Sequence, residues 1–244
     1  MPRKSVTESV ADENAAPGGV AAVDRALSLL AAFRDGDNGD GLTLAELAER
    51  TRLYKSTVSR LLASLEHGGW VMRLDSGRYA VGSAVARLHA VYAQNFSLDR
   101  VVMPVLRALV AQTGESAAYH VRQGRDRLCL FRVDSPHPVR DHARVGDMLP
   151  LGKGAGGRVL VAFDPELAEW ERRDRVHYAR VRADGYEAVI GDRRSEIAGI
   201  SVPVFRGSGE LAAALTLTMP VHRYDARYLK FVLAAGRSVG AQLL

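Results

Sequence analysis

One cysteine, Cys129, stands in 244 residues. That excludes an internal disulfide framework and a cysteine-built metal centre, and it fits a reducing compartment. No run of 18 apolar residues occurs, so no transmembrane helix is predicted. The opening stretch MPRKSVTESVADENAAPGG has no apolar core behind its basic residues. It therefore does not read as a secretory signal, and a cytoplasmic protein is expected. Lysine is nearly absent, at four of the 33 cationic residues. The seven histidines lack pairing at ligand spacing, so neither a metal nor another cofactor is expected. There is no G-x-S-x-G elbow, and a triad of Ser201, His120 and Asp134 has no support in spacing. No catalytic residue is assigned.

The net charge of +5 is poorly placed for a nucleic-acid argument. Residues 1–82 hold ten Lys+Arg against eleven Asp+Glu, a net of −1, and the excess lies beyond them. Any such contact must come from local placement of cations. At 47% hydrophobic residues the chain can build real cores, and its length favours two domains.

What is present is concentrated in residues 42–82. Leu44, Leu47 and Ala48 repeat at helical spacing behind Thr43, and Glu46 completes a capping-box spacing. The segment TRL breaks the pattern. A second helix follows with Val58, Leu61, Leu62 and Leu65 on one face, and His67-Gly68-Gly69 ends it. Its other face carries Lys55, Ser56, Thr57, Ser59 and Arg60: two cations and three small hydroxyls. Such a face can enter a major groove, about 12 Å wide, and hydrogen-bond to base edges. WVMRL and RYAVG flank Asp75-Ser76-Gly77, a hairpin turn that makes a wing carrying Arg73 and Arg78. Ser56, Thr57, Ser59 and Arg60 are candidates for base edges and nearby phosphates. Lys55, Arg73 and Arg78 are candidates for the DNA backbone, and Thr43 completes the DNA-binding set. A helix over Val23–Phe33, with Val23, Ala26, Leu27, Leu30 and Phe33 or Ala31 inward, should pack behind these two. Residues 1–19 read as a mobile tail, and 35–41 as a loop.

SAVARLHAVYAQN (83–95) reads as a helix with Val85, Leu88, Val91 and Tyr92 on one face and no partner in the head. It should join the domains and pack against its mate in a dimer. A helix opened by Ser97 runs to Gly114, with Pro104 predicting a kink or a later start. ESAAYHVRQG and DRLCLFRVDS form a hairpin; LGKGAGGRVLVAF is a glycine-rich turn entering a helix; two short helices follow. EIAGISVPVF and ELAAALTLTM are strands, and residues 225–244 form a last helix. The pattern is α+β: an antiparallel sheet with helices on one side. In the last strands Leu211, Ala213, Leu215, Leu217 and Met219 share one face, and Ala212, Ala214, Thr216 and Thr218 the other. Ile200, Val202 and Val204 oppose Gly199, Ser201, Pro203 and Phe205. The apolar face takes the helices, and the small, hydroxyl-bearing face leaves room for a ligand. Gly152 and Gly157 have P-loop spacing, but Arg158-Val159 stand where the motif needs Lys and Ser or Thr, so nucleotide binding is rejected. Backbone N–H groups of Gly154–Gly157 could hold a carboxylate.

KSTVSRLLASLEHGGWVMRLDSGRYAVG resembles the winged helix-turn-helix of the IclR family of bacterial transcriptional regulators. LPLGKGAGGRVLVAF, RADGYE and EIAGISVPVF…GELAAALTLTMP are similar to that family's GAF-like effector domain. The resemblance runs from about residue 20 to 240. It implies a tail over 1–19, a winged helix-turn-helix over 20–82, a linker helix over 83–96, and an effector-binding and oligomerisation domain over 97–244. Carried over by position, effector contacts fall on Ala155, Gly156, Gly199, Thr216 and Thr218. The chain departs from the family between Phe163 and Gly185, which is short, and at Gly152-Lys153, where His-Ala is usual. The expected function is a sequence-specific transcriptional regulator, a repressor, controlled by a small-molecule effector such as a carboxylate. Its expected partners are operator DNA and further copies of itself, as homodimer or tetramer, with no membrane partner. The alternative is a DNA-binding protein whose C-terminal domain only oligomerises; an enzyme fused to a DNA head is the third class.

Overall fold

The structure, a computed structural model, describes residues 8–33, 40–95, 98–172 and 174–243. Residues 1–7, most of the 35–41 loop and Ser97 lie outside them. The chain forms two compact units, residues 1–95 and 96–244.

The first unit runs α1 (Val10–Glu13), α2 (Ala21–Ala31), α3 (Leu44–Thr51), α4 (Lys55–His67), β1 (Val71–Arg73), β2 (Tyr79–Val81) and α5 (Ser83–Asn95). The predicted capping box sets the start of α3. The Glu46 amide donates to Thr43 Oγ1 at 3.1 Å, and the Thr43 amide donates to Glu46 Oε2 at 2.7 Å. Arg52 ends α3 in the left-handed region at φ 56°, which turns the chain into α4. Leu29, Leu47, Val58, Leu62 and Val71 form the core beneath α4 and the ribbon. The β1–β2 turn closes through Leu74 and Arg78, with Gly77 at φ 78°. Leu42 adds a third, single-residue rung through mutual bonds to Tyr79, each 2.7 Å.

Two expectations change here. Residues 8–19 are not wholly without structure: Ser9 caps the helical turn α1, whose Asp12 and Glu13 pair with Arg25 and Arg52. The inward face of α2 is Ala26, Leu29 and Leu30, while Val23 and Leu27 face outward at 53% and 57% exposure. The helix carries apolar residues on more than one face, so periodicity alone misplaced the stripe. The α5 residues Val85, Leu88, Val91 and Tyr92 are exposed.

The second unit runs α6 (Leu98–Thr113), β3 (Ser116–Gln123), β4 (Asp126–Val133), β5 (Met148–Pro150), α7 (Gly154–Phe163), α8 (Ala168–Glu171), α9 (Arg175–Asp184), β6 (Glu187–Ile190), β7 (Ile197–Phe205), β8 (Leu211–Pro220) and α10 (Leu229–Gly240). The six strands are antiparallel in the order β5-β4-β3-β8-β7-β6. Pro104 lies inside α6 without ending it. The apolar face of β7 and β8 packs on α6 and α10 through Leu106, Leu109, Val232 and Val239, as expected.

Helices cover both faces, however, not one. Val159 and Leu160 of α7 and Val181 of α9 build a second core with Leu151 and Ala214. The small side chains of the hydroxyl-bearing face let α7 approach closely. Leu211 also changes face: a bulge between Val204 and Phe205 pairs Phe205 directly with Leu211, which joins the α7 side, while Ala212 packs on the other core. The edge strand β6, four residues starting at a buried Glu187, was not foreseen.

Candidate functional site

The polar face of α4 is open. Lys55, Ser56, Ser59 and Arg60 are exposed and Thr57 is half-buried, while Val58, Leu62 and Leu65 anchor the opposite side. Arg60, Thr57 and Ser64 line a groove with Ala22 and Arg25 of α2. Tyr54, the residue before α4, is 71% exposed. It was not picked out from sequence, although an aromatic hydroxyl next to Lys55 was signal enough. The wing arginines differ. Arg73 is exposed, with its guanidinium 5.9 Å from the centroid of the Tyr79 ring. Arg78 is half-buried and spent inward: Nη2 lies 3.0 Å from Glu46 Oε2, and Nε donates to Gly41 O at 3.0 Å. Thr43 is likewise engaged, as the α3 cap. The two residues tie the wing to α3 through the shared Glu46.

In the second unit the five residues carried over from the family pattern come together. Ala155, Gly156, Gly199, Thr216 and Thr218 all line one cavity of about 30 Å³ at the N-terminal end of α7. The remaining lining was missed. His120, Arg127, Arg132, Asp141 and Arg193 supply most of its charge. A bulge in the β3–β4 pairing at Tyr119/His120 puts Arg127, Cys129 and Arg132 on the cavity side of β4, which strict alternation does not allow.

The charges are nearly all paired. Arg193 Nη2 holds Asp141 at 2.6 and 2.7 Å. Arg132 Nε donates to Asp134 at 2.7 Å, and its Nη2 to Asp141 O at 3.0 Å. Arg127, 3% exposed, is held among the described residues by carbonyls: Nη1 donates to Pro150 O at 2.5 Å and Lys153 O at 2.7 Å. Burial and then the neighbouring Arg193 pull its guanidinium down to about 10, so it stays charged at neutral pH. His120 is buried beside these cations. Burial first, and then Arg127, Arg132 and Arg193, hold it well below its ordinary value, so the imidazole is neutral. Its Nδ1 lies 3.3 Å from Thr216 Oγ1, which lies 2.9 Å from Ser201 Oγ. Cys129 is wholly buried and its thiol is pushed up to about 11 by desolvation.

The glycines here begin the helix rather than form a turn before it: α7 starts at Gly154. Its first amide already has an anion. Gly154 N donates to Asp192 Oδ2 at 2.5 Å, and Asp192 is clasped by Arg158 at 2.6 and 3.0 Å. Gly157 is forced by proximity: an added Cβ would stand 2.2 Å from Leu151 O and 2.3 Å from Arg127 Nη1. Behind this, Glu187 is buried against His177 at 2.5 Å and Arg180 at 3.1 Å, which joins α9 to β6. Among the described residues no group of three or more His, Cys, Asp or Glu is arranged to hold a metal ion, and no helix is long and apolar enough to cross a membrane.

Comparison with known proteins matches residues 22–75 to the IclR helix-turn-helix domain and residues 90–173 to the bacterial transcriptional regulator IclR C-terminal domain. The regulator KdgR of Dickeya chrysanthemi is 25% identical over all of this chain and 86% of its own. The transcriptional repressor IclR of Escherichia coli K12 is 24% identical over 92% of this chain and 90% of its own. The crystal structure of an IclR homolog from Microbacterium hydrocarbonoxydans, complexed with 4-hydroxybenzoate, superposes with a TM-score of 0.79. At 22% identity it covers 91% of this chain and 98% of that one. Both halves match one and the same family in the order this fold presents them, and the chain belongs to the IclR family of DNA-binding transcriptional regulators.

Proposed function

We propose that this regulator is a cytoplasmic repressor that binds its operator as a homodimer, or as a tetramer of two such dimers, and releases it in response to a small carboxylate. It performs no catalysis. The observation that carries the reading is the open α4 face, an exposed row of Lys55, Ser56, Ser59 and Arg60 on a helix whose other side is anchored. Ser56, Thr57, Ser59 and Arg60 read base edges and nearby phosphates, each good bidentate base contact giving about 1–3 kcal/mol of discrimination. Lys55 and Arg73 hold the DNA backbone; Thr43 and Arg78 support the wing and touch phosphate at its edge. The exposed apolar residues Val20, just before α2, and Val23 and Leu27 on it, with Val85, Leu88 and Val91 on α5, supply the surface a second copy covers. Ligand in the cavity at α7 changes the separation of the two heads through α5.

Titration of the protein's own upstream DNA across a salt series, for wild type and Arg60→Ala, tests this reading. A specific complex that weakens steeply with salt and is lost in the variant supports it. An Arg60→Ala protein that binds like wild type refutes the assigned face. A second reading, in which the C-terminal unit only oligomerises, draws on the small size of the cavity, about 30 Å³. Thermal shift with small carboxylates and lactones separates the two.

A further inference from the structure

Among the described residues every left-handed backbone position is a glycine except one, Arg52, at φ 56°. A side chain is strained there, and glycine is the ordinary occupant. What the Arg52 side chain reaches accounts for it. Its Nη1 donates to Glu13 Oε1 at 2.7 Å, and its Nη2 pairs with Glu13 Oε2. Arg52 stands in the turn that delivers α4, three residues before Lys55. The neighbouring acid of α1 holds a second cation: Asp12 Oδ1 lies 3.0 Å from Arg25 Nη2. Arg25 lines the groove beside Thr57 and Arg60 of α4, and its Nε is buried with no hydrogen-bond partner. Ser9 steadies Asp12. Its hydroxyl donates to Asp12 Oδ2 at 2.6 Å and accepts the Asp12 amide at 3.2 Å. Ser9 and Ala11 are buried and seat the turn on the head.

One helical turn thus lays two adjacent carboxylates on two cations, one just before α4 and one beside it. The four side chains keep 34–44% of their surface open. Ion pairs so exposed are worth little, and a competing anion can replace them. A duplex phosphate is such an anion. Without Glu8, Asp12 and Glu13, residues 1–82 would hold ten cations against eight anions, a net of +2 in place of −1.

We propose that α1 is an acidic latch on the DNA-reading head: Asp12 and Glu13 occupy Arg25 and Arg52 in the free protein, and duplex phosphates take both cations over when α4 enters the groove. Arg25 and Arg52 are then two further backbone contacts, and α1 lowers the affinity of the head for DNA of any sequence. This rests on α4 as the reading helix. If α1 only braced α2, removing its charges would lower stability and leave DNA affinity where it was.

The test uses the full-length protein, by fluorescence anisotropy with its labelled upstream duplex and a random duplex of equal length, across a salt series. Wild type, Arg60→Ala, the double variant Asp12→Asn with Glu13→Gln, Arg25→Gln and Arg52→Gly are compared, with a circular-dichroism melt of each. Glycine at 52 relieves the backbone strain, so that variant folds while losing the side chain. The acid-neutralised double variant should bind both duplexes roughly threefold tighter or more, the cost of two exposed ion pairs. The gain should be alike on the two duplexes, because phosphate contacts carry no sequence information. Arg25→Gln and Arg52→Gly should each weaken both duplexes and reduce the salt slope by about one. Adding both of these to the acid-neutralised variant should abolish its gain. A folded double variant that binds no tighter than wild type would overturn the proposal, as would a gain that survives loss of Arg25 and Arg52. Either result leaves the α4 reading standing, which Arg60→Ala tests separately. If neither wild type nor the double variant binds either duplex at low salt, both fall together.

Discussion

Replacing Asp192 by Asn tests the charge arrangement around α7 without changing shape. Asp192 makes two bonds to Arg158, at 2.6 and 3.0 Å, and accepts the Gly154 amide at 2.5 Å. Both side chains of the pair are about one-fifth exposed, at 22% and 20%. Hydrogen bonds to charged groups are worth about 1.5–3 kcal/mol each when buried, and partial exposure brings these towards the lower end. Asn keeps one oxygen for Gly154 but turns an N–H₂ towards Arg158 and removes the charge at the helix terminus. The expected loss is about 2–3 kcal/mol, which for a unit of this size lowers the melting temperature by roughly 4–10 °C. Trp170 stands over Gly152, where an added Cβ would meet its ring at 3.1 Å, so its fluorescence reports on this end of α7. Urea unfolding in a Trp70→Phe background, with Trp170 as probe, measures the change. Arg158→Met should cost a similar amount, and the double variant less than the two together. Burial by itself would raise the Asp192 carboxyl, but Arg158 and the Gly154 amide outweigh it and hold it below 3.8. Its contribution is therefore complete above that pH and fades as pH falls through the lowered value, an acid step the Asn variant lacks. A loss under about 0.5 kcal/mol, or strict additivity with Arg158→Met, would refute the assignment of Asp192 as the anion of the α7 terminus.

Gly82→Ala should unfold or severely weaken the head, since the new Cβ would lie 2.2 Å from Gly69 O, where the end of the wing crosses the end of α4; a circular-dichroism melt retaining the wild-type head transition would contradict this. Thr43→Ala should cost about 1 kcal/mol by opening the capping box, read as a lower urea midpoint at unchanged slope. His120 is neutral in the folded chain while the unfolded chain takes up its proton near pH 6.5, so this group lowers stability by about 1.4 kcal/mol per pH unit on acidification below that point. His120→Gln should flatten that part of the stability–pH curve relative to wild type, and equal slopes would show that the imidazole is not held neutral.

The head was legible because its signals are local. The Thr43–Glu46 cap, the anchored face of α4 and the Asp75-Ser76-Gly77 turn each lie within a few residues of what they specify. Helix α2 was harder: Val23 and Leu27 repeat at helical spacing yet face outward. The second unit was legible in its strands and blurred where bulges intervene. One bulge moved Leu211 across the sheet, and the other turned Arg127 and Arg132 towards the cavity. The cavity's small residues followed from the family pattern, but its charge did not. Arg127, Asp141, Arg193 and His120 come from distant parts of the sequence and meet only once β4 and the loops on either side of it are folded. The Asp192 cap was invisible for the same reason, since 38 residues separate it from the amide it satisfies.

The central claim is that one ligand-filled cavity alters one DNA-reading head. It is tested most directly by fluorescence anisotropy of a labelled upstream duplex, titrated with the full-length protein with and without a saturating concentration of the acid that gives the largest melting shift. The account predicts a change in operator affinity of roughly fivefold or more. An acid that saturates the protein, yet leaves operator affinity and its salt dependence unchanged, would contradict it.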